Sequence, residues 1–177
     1  MVANSARCTK HIALQNVTKE RKDMSDYTEE QLDQIWKKGF VAGDLDPEVY
    51  RTDAANALMK RDLYGNEGNL GWEVDHIYPK DKLKAKGVPK NMWDDMVNLR
   101  PMNAKNNVAK GEDYPAYTRV VVWDKQYPKL HRNVTVSGDA AKRKVNDSIQ
   151  AEVFEHYKKW LQCDSRPHGD NDKKNNQ

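Results

Sequence analysis

With 177 residues, the chain is long enough for one ordinary domain and too short for two comfortable ones. Hydrophobic residues make up 37% and charged residues 32%, against roughly 45–50% and 25% in an average globular domain, so part of the chain is expected outside any core. No apolar run approaches the roughly 18 residues that read as a membrane span. A net charge of +3 is too mild to imply a nucleic-acid partner by itself.

Residues 1–25 are polar and irregular and hold no continuous apolar stretch of the roughly 7–15 residues found in a secretory signal. Residues 164–177 contain none of the hydrophobic residue types. Neither end repays its own ordering entropy. Mobile tails are expected at 1–25 and 163–177, around a single domain at 26–162 in a cytoplasmic protein. Cys8 and Cys163 lie near opposite ends without CxxC spacing, so they give neither a disulfide framework nor a zinc-finger signature.

Thr28 is placed to cap a helix through Lys38, with Glu29 and Glu30 in its first turn, Leu32, Ile35 and Trp36 as its apolar stripe and Gly39 as its stop. Asn56 to Tyr64 is ambiguous between helix and strand, closed by a turn at Gly65-Asn66. Gly71 to Ile77 reads as a short strand, ended by Pro79. A lysine-rich loop then runs from Tyr78 to Val97. Pro101 suits the first position of a helix over Met102–Lys110, with Gly111 as its stop. Thr118–Trp123 and Asn133–Val136 read as strands, a hairpin around Tyr127-Pro128. From Asp139 a long amphipathic helix is expected, with Val145, Ile149, Val153, Tyr157 and Trp160 as its core stripe to about Leu161. The fold class is α+β.

One constellation can do chemistry: Asp75-His76, then Asn98, then Asn107 followed by Lys110-Gly111. On the expected helix, Asn103, Asn107 and Lys110 are spaced by four and three and so share a face. The intervals suit a strand, a loop, a second strand and a helix folding back around one point, which would bring Asn107 beside Asp75. Cations concentrate here. From Tyr78 to Gly111 there are eight Lys and Arg against three Asp.

The stretches GWEVDHIYPK at 71–80 and NLRPMNAKNNVAKG at 98–111 resemble the HNH nucleases of the ββα-metal fold. That family carries Asp-His-Ile-x-Pro, then Asn-Leu-x-Pro-Leu, then Asn-x-x-Lys-Gly. Compact bacterial and phage members are also similar upstream, through Trp36, Arg51 with Asp53, and Tyr64-Gly65. The resemblance spans about residues 28–111. It implies a ββα-metal core at 71–111 with the N-terminal helix before it, and the C-terminal strand pair and long helix after it. It makes His76 the general base, Asp75 and Asn107 the ligands of one Mg²⁺ or Mn²⁺ ion, and Asn98 the residue that holds the loop carrying His76. These roles are chemically reasonable. A neutral imidazole can take a proton from water near neutral pH, and hard oxygens suit those ions. Many relatives place a pair of zinc-binding Cys where this chain has Asn103 and Asn106, so no structural zinc is expected.

The activity implied is metal-dependent hydrolysis of DNA phosphodiesters, in restriction or phage DNA processing or as free-standing nicking. Lys82, Lys84 and Lys86 read either as a phosphate-tracking arm or as part of a solubilising loop anchored by Trp93. Arg100 and Lys105 read as phosphate contacts, and Lys110 as either a phosphate contact or a support for the helix. Two other classes stand beside the nuclease: a nucleic-acid-binding module that does not cut, and a nuclease toxin paired with an immunity protein, whose delivery region would not fit in this length. Five Trp could serve a homodimer interface. No membrane partner is expected.

Overall fold

The computed structural model describes residues 26–142, 144–146 and 150–161. The expected tails, both cysteines and Ile149 lie outside the described residues. The chain divides after Gln34 into two compact units. Of the first, the described part is 26–34, which begins helix α1 (Glu29–Lys37). Thr28 and Gln31 cap it reciprocally: the Gln31 amide donates to Thr28 Oγ1 at 3.2 Å, and the Thr28 amide donates to Gln31 Oε1 at 2.9 Å. Each of these amides thereby gains a side-chain acceptor at the helix start.

The second unit mixes helix and sheet. Strands β1 (Phe40–Val41), β2 (Tyr50–Thr52) and β3 (Leu58–Lys60) form an antiparallel sheet in that order. The ambiguous segment therefore resolves as a strand followed by a short 3-10 turn at Arg61–Leu63. Gly65 reverses the chain at a φ of 70°, a conformation that costs glycine little. At Gly71 a Cβ would overlap the Asn66 carbonyl, so only glycine lets the turn close at the start of β4 (Trp72–His76).

Strand β4 pairs antiparallel with β5 (Leu99–Asn103), with Asp75 opposite Arg100 and His76 opposite Leu99. Helix α3 (Ala104–Lys110) follows and packs on both strands. Side chains alternate along β4. Trp72 points away from α3 and stacks on Trp36 and Tyr64, ring centroids 5.1 and 4.9 Å apart, while Glu73 and Asp75 face the helix.

Three expectations are corrected. Pro101 lies inside β5, not at a helix start. A two-stranded sheet has only edge strands, where a missing N–H is tolerated. Asn103 accordingly does not share a helix face with Asn107; it is the N-cap of α3, its side chain accepting from the Lys105 amide at 3.1 Å. The Gly111 stop holds, at a φ of 48°. Second, residues 78–97 are not an open loop. They form helix α2 (Lys80–Ala85) and two 3-10 turns, because Ile77, Tyr78, Leu83 and Val88 bury against Val153, Tyr157 and Leu161. Third, the long C-terminal helix is broken. A short helix α4 (Asp139–Lys142) precedes strand β9 (Val145–Asn146), which pairs with β6 (Ala116–Tyr117). Val145 packs on the cluster of Ala55, Met102 and Tyr117, so it serves a sheet rather than the helical stripe. Helix α5 (Gln150–Leu161) then buries Val153, Tyr157 and Leu161. The hairpin of β7 (Val121–Trp123) and β8 (Asn133–Thr135) is as expected.

Asn106 ties these pieces together. Its Oδ1 accepts from the amides of Val120 and Val121 at 2.9 and 3.0 Å, and its Nδ2 donates to Val121 O and to Asp53 Oδ2, both at 3.0 Å. A buried amide thus joins helix, strand and turn. Asn106→Ala would strand buried donors and acceptors at roughly 1–3 kcal/mol per group. It should lower unfolding free energy by about 2–4 kcal/mol in urea titration, whereas Val108→Ala on the exposed face of the same helix should change it by less than about 0.5 kcal/mol.

Candidate functional site

The site residues converge where β4 ends against α3. Asp75 is 4% exposed. Its Oδ2 accepts from the Arg100 Nε at 2.8 Å, the cross-strand neighbour, and its Oδ1 pairs with the Lys110 Nζ at 2.9 Å. Lys110 also donates to the His76 carbonyl at 2.9 Å, so one ammonium links the helix end to the strand end. Arg100 lies 5.4 Å from the Tyr117 ring centroid. Burial works against the Arg100 charge, but Asp75, Tyr117 and Asp53 outweigh it and hold the guanidinium above its ordinary value. Burial and the neighbouring acids push the Tyr117 hydroxyl up to about 12, although Arg100 opposes them.

One helical turn away, the Asn107 amide donates to Glu73 Oε2 at 2.8 Å. The two rungs between β4 and α3 are thus Glu73 with Asn107 and Asp75 with Lys110. Asn107 meets the carboxylate two residues before the expected one. Period-two alternation could have nominated Glu73, since it shares a strand face with Asp75.

His76 sits at the strand's end with its side chain 18% exposed, and its Nε2 is 2.8 Å from Asp94 Oδ1. Lys80 Nζ is 2.7 Å from the same oxygen. Burial lowers the His76 pKa, the hydrogen bond to Asp94 opposes that, and Lys80 adds to it. Burial raises the Asp94 carboxyl, but Lys80 and His76 outweigh it and hold the group below the usual carboxylate range. No spacing in the sequence points to Asp94, because its approach depends on how residues 78–97 fold back.

Asn98 brackets the backbone just past His76. Its Oδ1 accepts from the Tyr78 amide at 2.8 Å and its Nδ2 donates to the Tyr78 carbonyl at 3.0 Å. Upstream, Asp53 is buried and accepts from the amides of Ala55, Ala57 and Asn103 and from Asn106. Burial raises its carboxyl pKa, and the bonds from Asn106, Ala57 and Asn103 partly offset that.

Two of the expected phosphate contacts are corrected. Arg100 and Lys110 are 2% and 3% exposed, committed to Asp75, and out of reach of a phosphate on the surface. For Lys110 the helix-supporting alternative describes its place. Lys84 and Lys105 are exposed, Lys86 is half-buried, and half-buried Lys82 lies 3.4 Å from the Tyr114 carbonyl.

The Mg²⁺ or Mn²⁺ ion implied at Asp75 and Asn107 does not fit these residues as arranged. Both Asp75 oxygens already face a buried cation, and a divalent ion would compete with two positive heads for the same lone pairs. The oxygens of Asp75, Asn107 and Glu73 are chemically suited to such an ion, but the arrangement is that of a closed ion-pair cluster. No family model, curated protein or solved structure matches the chain. Among the described residues, no helix is long and apolar enough to cross a membrane.

An Asp75→Asn substitution separates a structural carboxylate from a metal ligand. Removing one member of a buried ion cluster leaves its partners uncompensated, at about 3–5 kcal/mol, so urea unfolding should show a loss of that order with or without Mg²⁺. A metal ligand predicts a loss confined to the Mg²⁺-containing sample. Wild-type protein should keep its melting temperature in EDTA to within about a degree, since no bound ion is then adding to stability.

Proposed function

We propose that the chain is an HNH-type endonuclease that hydrolyses DNA phosphodiesters, with the β4-β5 pair and α3 as its ββα core. The observation that carries this reading is His76. It stands at the end of the first strand, with Asn98 bracketing the backbone beyond it, Lys110 on its carbonyl and a carboxylate on its Nε2. Of these, His76, Asn98 and Lys110 are among the residues that carry the resemblance to that family, and Asp94 is added by the fold of residues 78–97.

Environment and role agree. A general base must be neutral when it meets its water, and burial biases His76 toward the neutral form. The water gives its proton to the imidazole as its oxygen bonds to phosphorus, the bond from phosphorus to the departing sugar oxygen breaks, and that oxygen takes a proton from solvent. Asn98 fixes the chain on one side of His76 and Lys110 fixes the carbonyl of His76 itself, so the ring turns about its own side-chain bonds only. The mechanism includes no step through a metal, because the Asp75 oxygens are engaged by Arg100 and Lys110. That engagement favours a second reading, a module that binds DNA with this fold and does not cut.

Incubating the protein with supercoiled plasmid, in Mg²⁺, in Mn²⁺ and in EDTA, separates the two. The nuclease reading expects nicked or linear DNA from wild type and a loss of at least about 100-fold in rate for His76→Ala, with DNA affinity within about twofold. Binding without cutting in all three conditions supports the module instead. For either reading, exposed Lys84 and Lys105 are the phosphate contacts. Reversing either to Glu should flatten the slope of log affinity against log salt by about one unit, and unchanged slopes would remove both lysines from the DNA face.

A further inference from the structure

The contact between His76 and Asp94 determines which imidazole nitrogen is free. Asp94 Oδ1 lies 2.8 Å from His76 Nε2 and 2.7 Å from Lys80 Nζ, and Lys80 can only donate. A carboxyl group is ionised at neutral pH unless its surroundings keep the proton on, and the Lys80 ammonium on Asp94 Oδ1 favours the ionised form, so Asp94 has no proton to give. The hydrogen shared with His76 therefore belongs to Nε2, and in the neutral ring the lone pair lies on Nδ1.

The residues on either side of Asp94 are tied down. Tyr157 donates its hydroxyl to the Met92 carbonyl at 2.7 Å, Trp93 Nε1 donates to the Val88 carbonyl at 2.8 Å, and Asn98 Nδ2 reaches the Trp93 carbonyl at 3.4 Å. His156 Nε2 stands 2.7 Å from Asp95 Oδ2. Met92, Trp93 and Asp95 are each pinned, by α5, by the 88–98 segment or by both, and Asp94 lies among them. With its backbone fixed on both flanks and its carboxylate paired with Lys80, Asp94 can set the rotation of a ring that its own side-chain bonds leave free.

We propose that Asp94 is a positioning residue for His76, fixing the ring in its Nε2–H form so that Nδ1 is the nitrogen that takes the proton from water, with Lys80 holding the carboxylate in place. The inference rests on the reading of His76 as general base. It gives residues 78–97 a task beyond solubility or phosphate tracking, since α2 supplies Lys80 and the following turns supply Asp94. The same logic, a base oriented by a third group, recurs wherever an imidazole must present one nitrogen.

The test combines a tautomer measurement with a rate. Long-range ¹H–¹⁵N spectra of histidine-labelled protein should show His76 as Nε2–H in wild type and as a mixture of the two neutral forms in Asp94→Ala. On supercoiled plasmid, Asp94→Ala should lower kcat by about 100-fold with KM within about twofold. Asp94→Asn keeps shape and acceptor but loses the charge. It should keep the Nε2–H form and fall between the two in rate, which covers the case in which the alanine variant does not fold. An Nδ1–H ring in wild type would overturn the proposal, as would Asp94→Ala and Asp94→Asn variants that cut at the wild-type rate. A wild type that shows Nε2–H but cuts no DNA overturns the nuclease reading and, with it, the part Asp94 plays in rate; the tautomer result then shows that it is that reading, not the contact, which failed.

Discussion

Two buried cations converge on one buried carboxylate, and the second unit is arranged around keeping them there. Taking Asp75, Arg100 and Lys110 out of water costs several kcal/mol per ion, and their attraction offsets this only where geometry is good and further hydrogen bonds satisfy what remains. The register of β4 against β5 supplies the first condition by setting Asp75 and Arg100 directly opposite each other. Helix α3 supplies the second for Lys110, because its last turn brings that ammonium to both Asp75 and the His76 carbonyl. A shift of one residue in the strand register would turn Asp75 to the other face and leave both cations without it. The ion cluster therefore specifies the pairing as much as it stabilises it, and the position of His76 follows from that pairing.

Around this cluster, asparagines do much of the joining that apolar contacts do in a richer core. Asn98, Asn106 and Asn133 are all buried, and each meets backbone from another part of the chain. Asn133 Oδ1 accepts from the Leu58 amide at 2.7 Å, and its Nδ2 donates to the Leu58 and Asn69 carbonyls at 2.8 and 2.7 Å. A carboxamide offers one acceptor and two donors in a plane, much as a peptide group does, so it can close a short strand or turn edge that has no neighbouring strand. The sheets here are only two or three strands across, and such edges are numerous. Such amide contacts supplement the apolar packing that a chain with 37% hydrophobic residues can supply.

The motif residues were legible in the sequence where their spacing was local. The strand at 72–76, the glycine stop at Gly111, the capped helix from Thr28 and the hairpin of β7 and β8 depend on patterns within about fifteen residues. The misread elements depend on distant partners. Pro101 suits a helix start on local grounds, and only the two-stranded pairing with β4 makes it a strand residue. Val145 falls on the stripe of a long helix until Tyr117 pairs with it. Residues 78–97 read as a loop because five lysines are interspersed among their apolar residues, yet Leu83 and Val88 are buried once α5 covers them. Arg100 and Lys110 read as surface cations for the same reason: charge is visible in a sequence, but the buried counter-charge that draws it inward is not.

The surroundings of His76 show how these levels meet. Its ring belongs to the last residue of β4, and burial there disfavours the imidazolium. Asp94 alone would favour the charged ring, but Lys80 shares the same oxygen and limits that pull. Had the strand ended in open solvent, desolvation would be lost; had Lys80 been absent, burial would be left to oppose Asp94 without its help. The neutral form therefore depends on sheet pairing, which buries the ring, and on helix α2, which carries the opposing ammonium. Both depend in turn on the packing of Ile77, Tyr78 and Leu83 against α5. A lysine-rich stretch that charge counting assigns to solvent thus contributes, through Lys80 and Asp94, to the protonation state of a ring in the neighbouring strand.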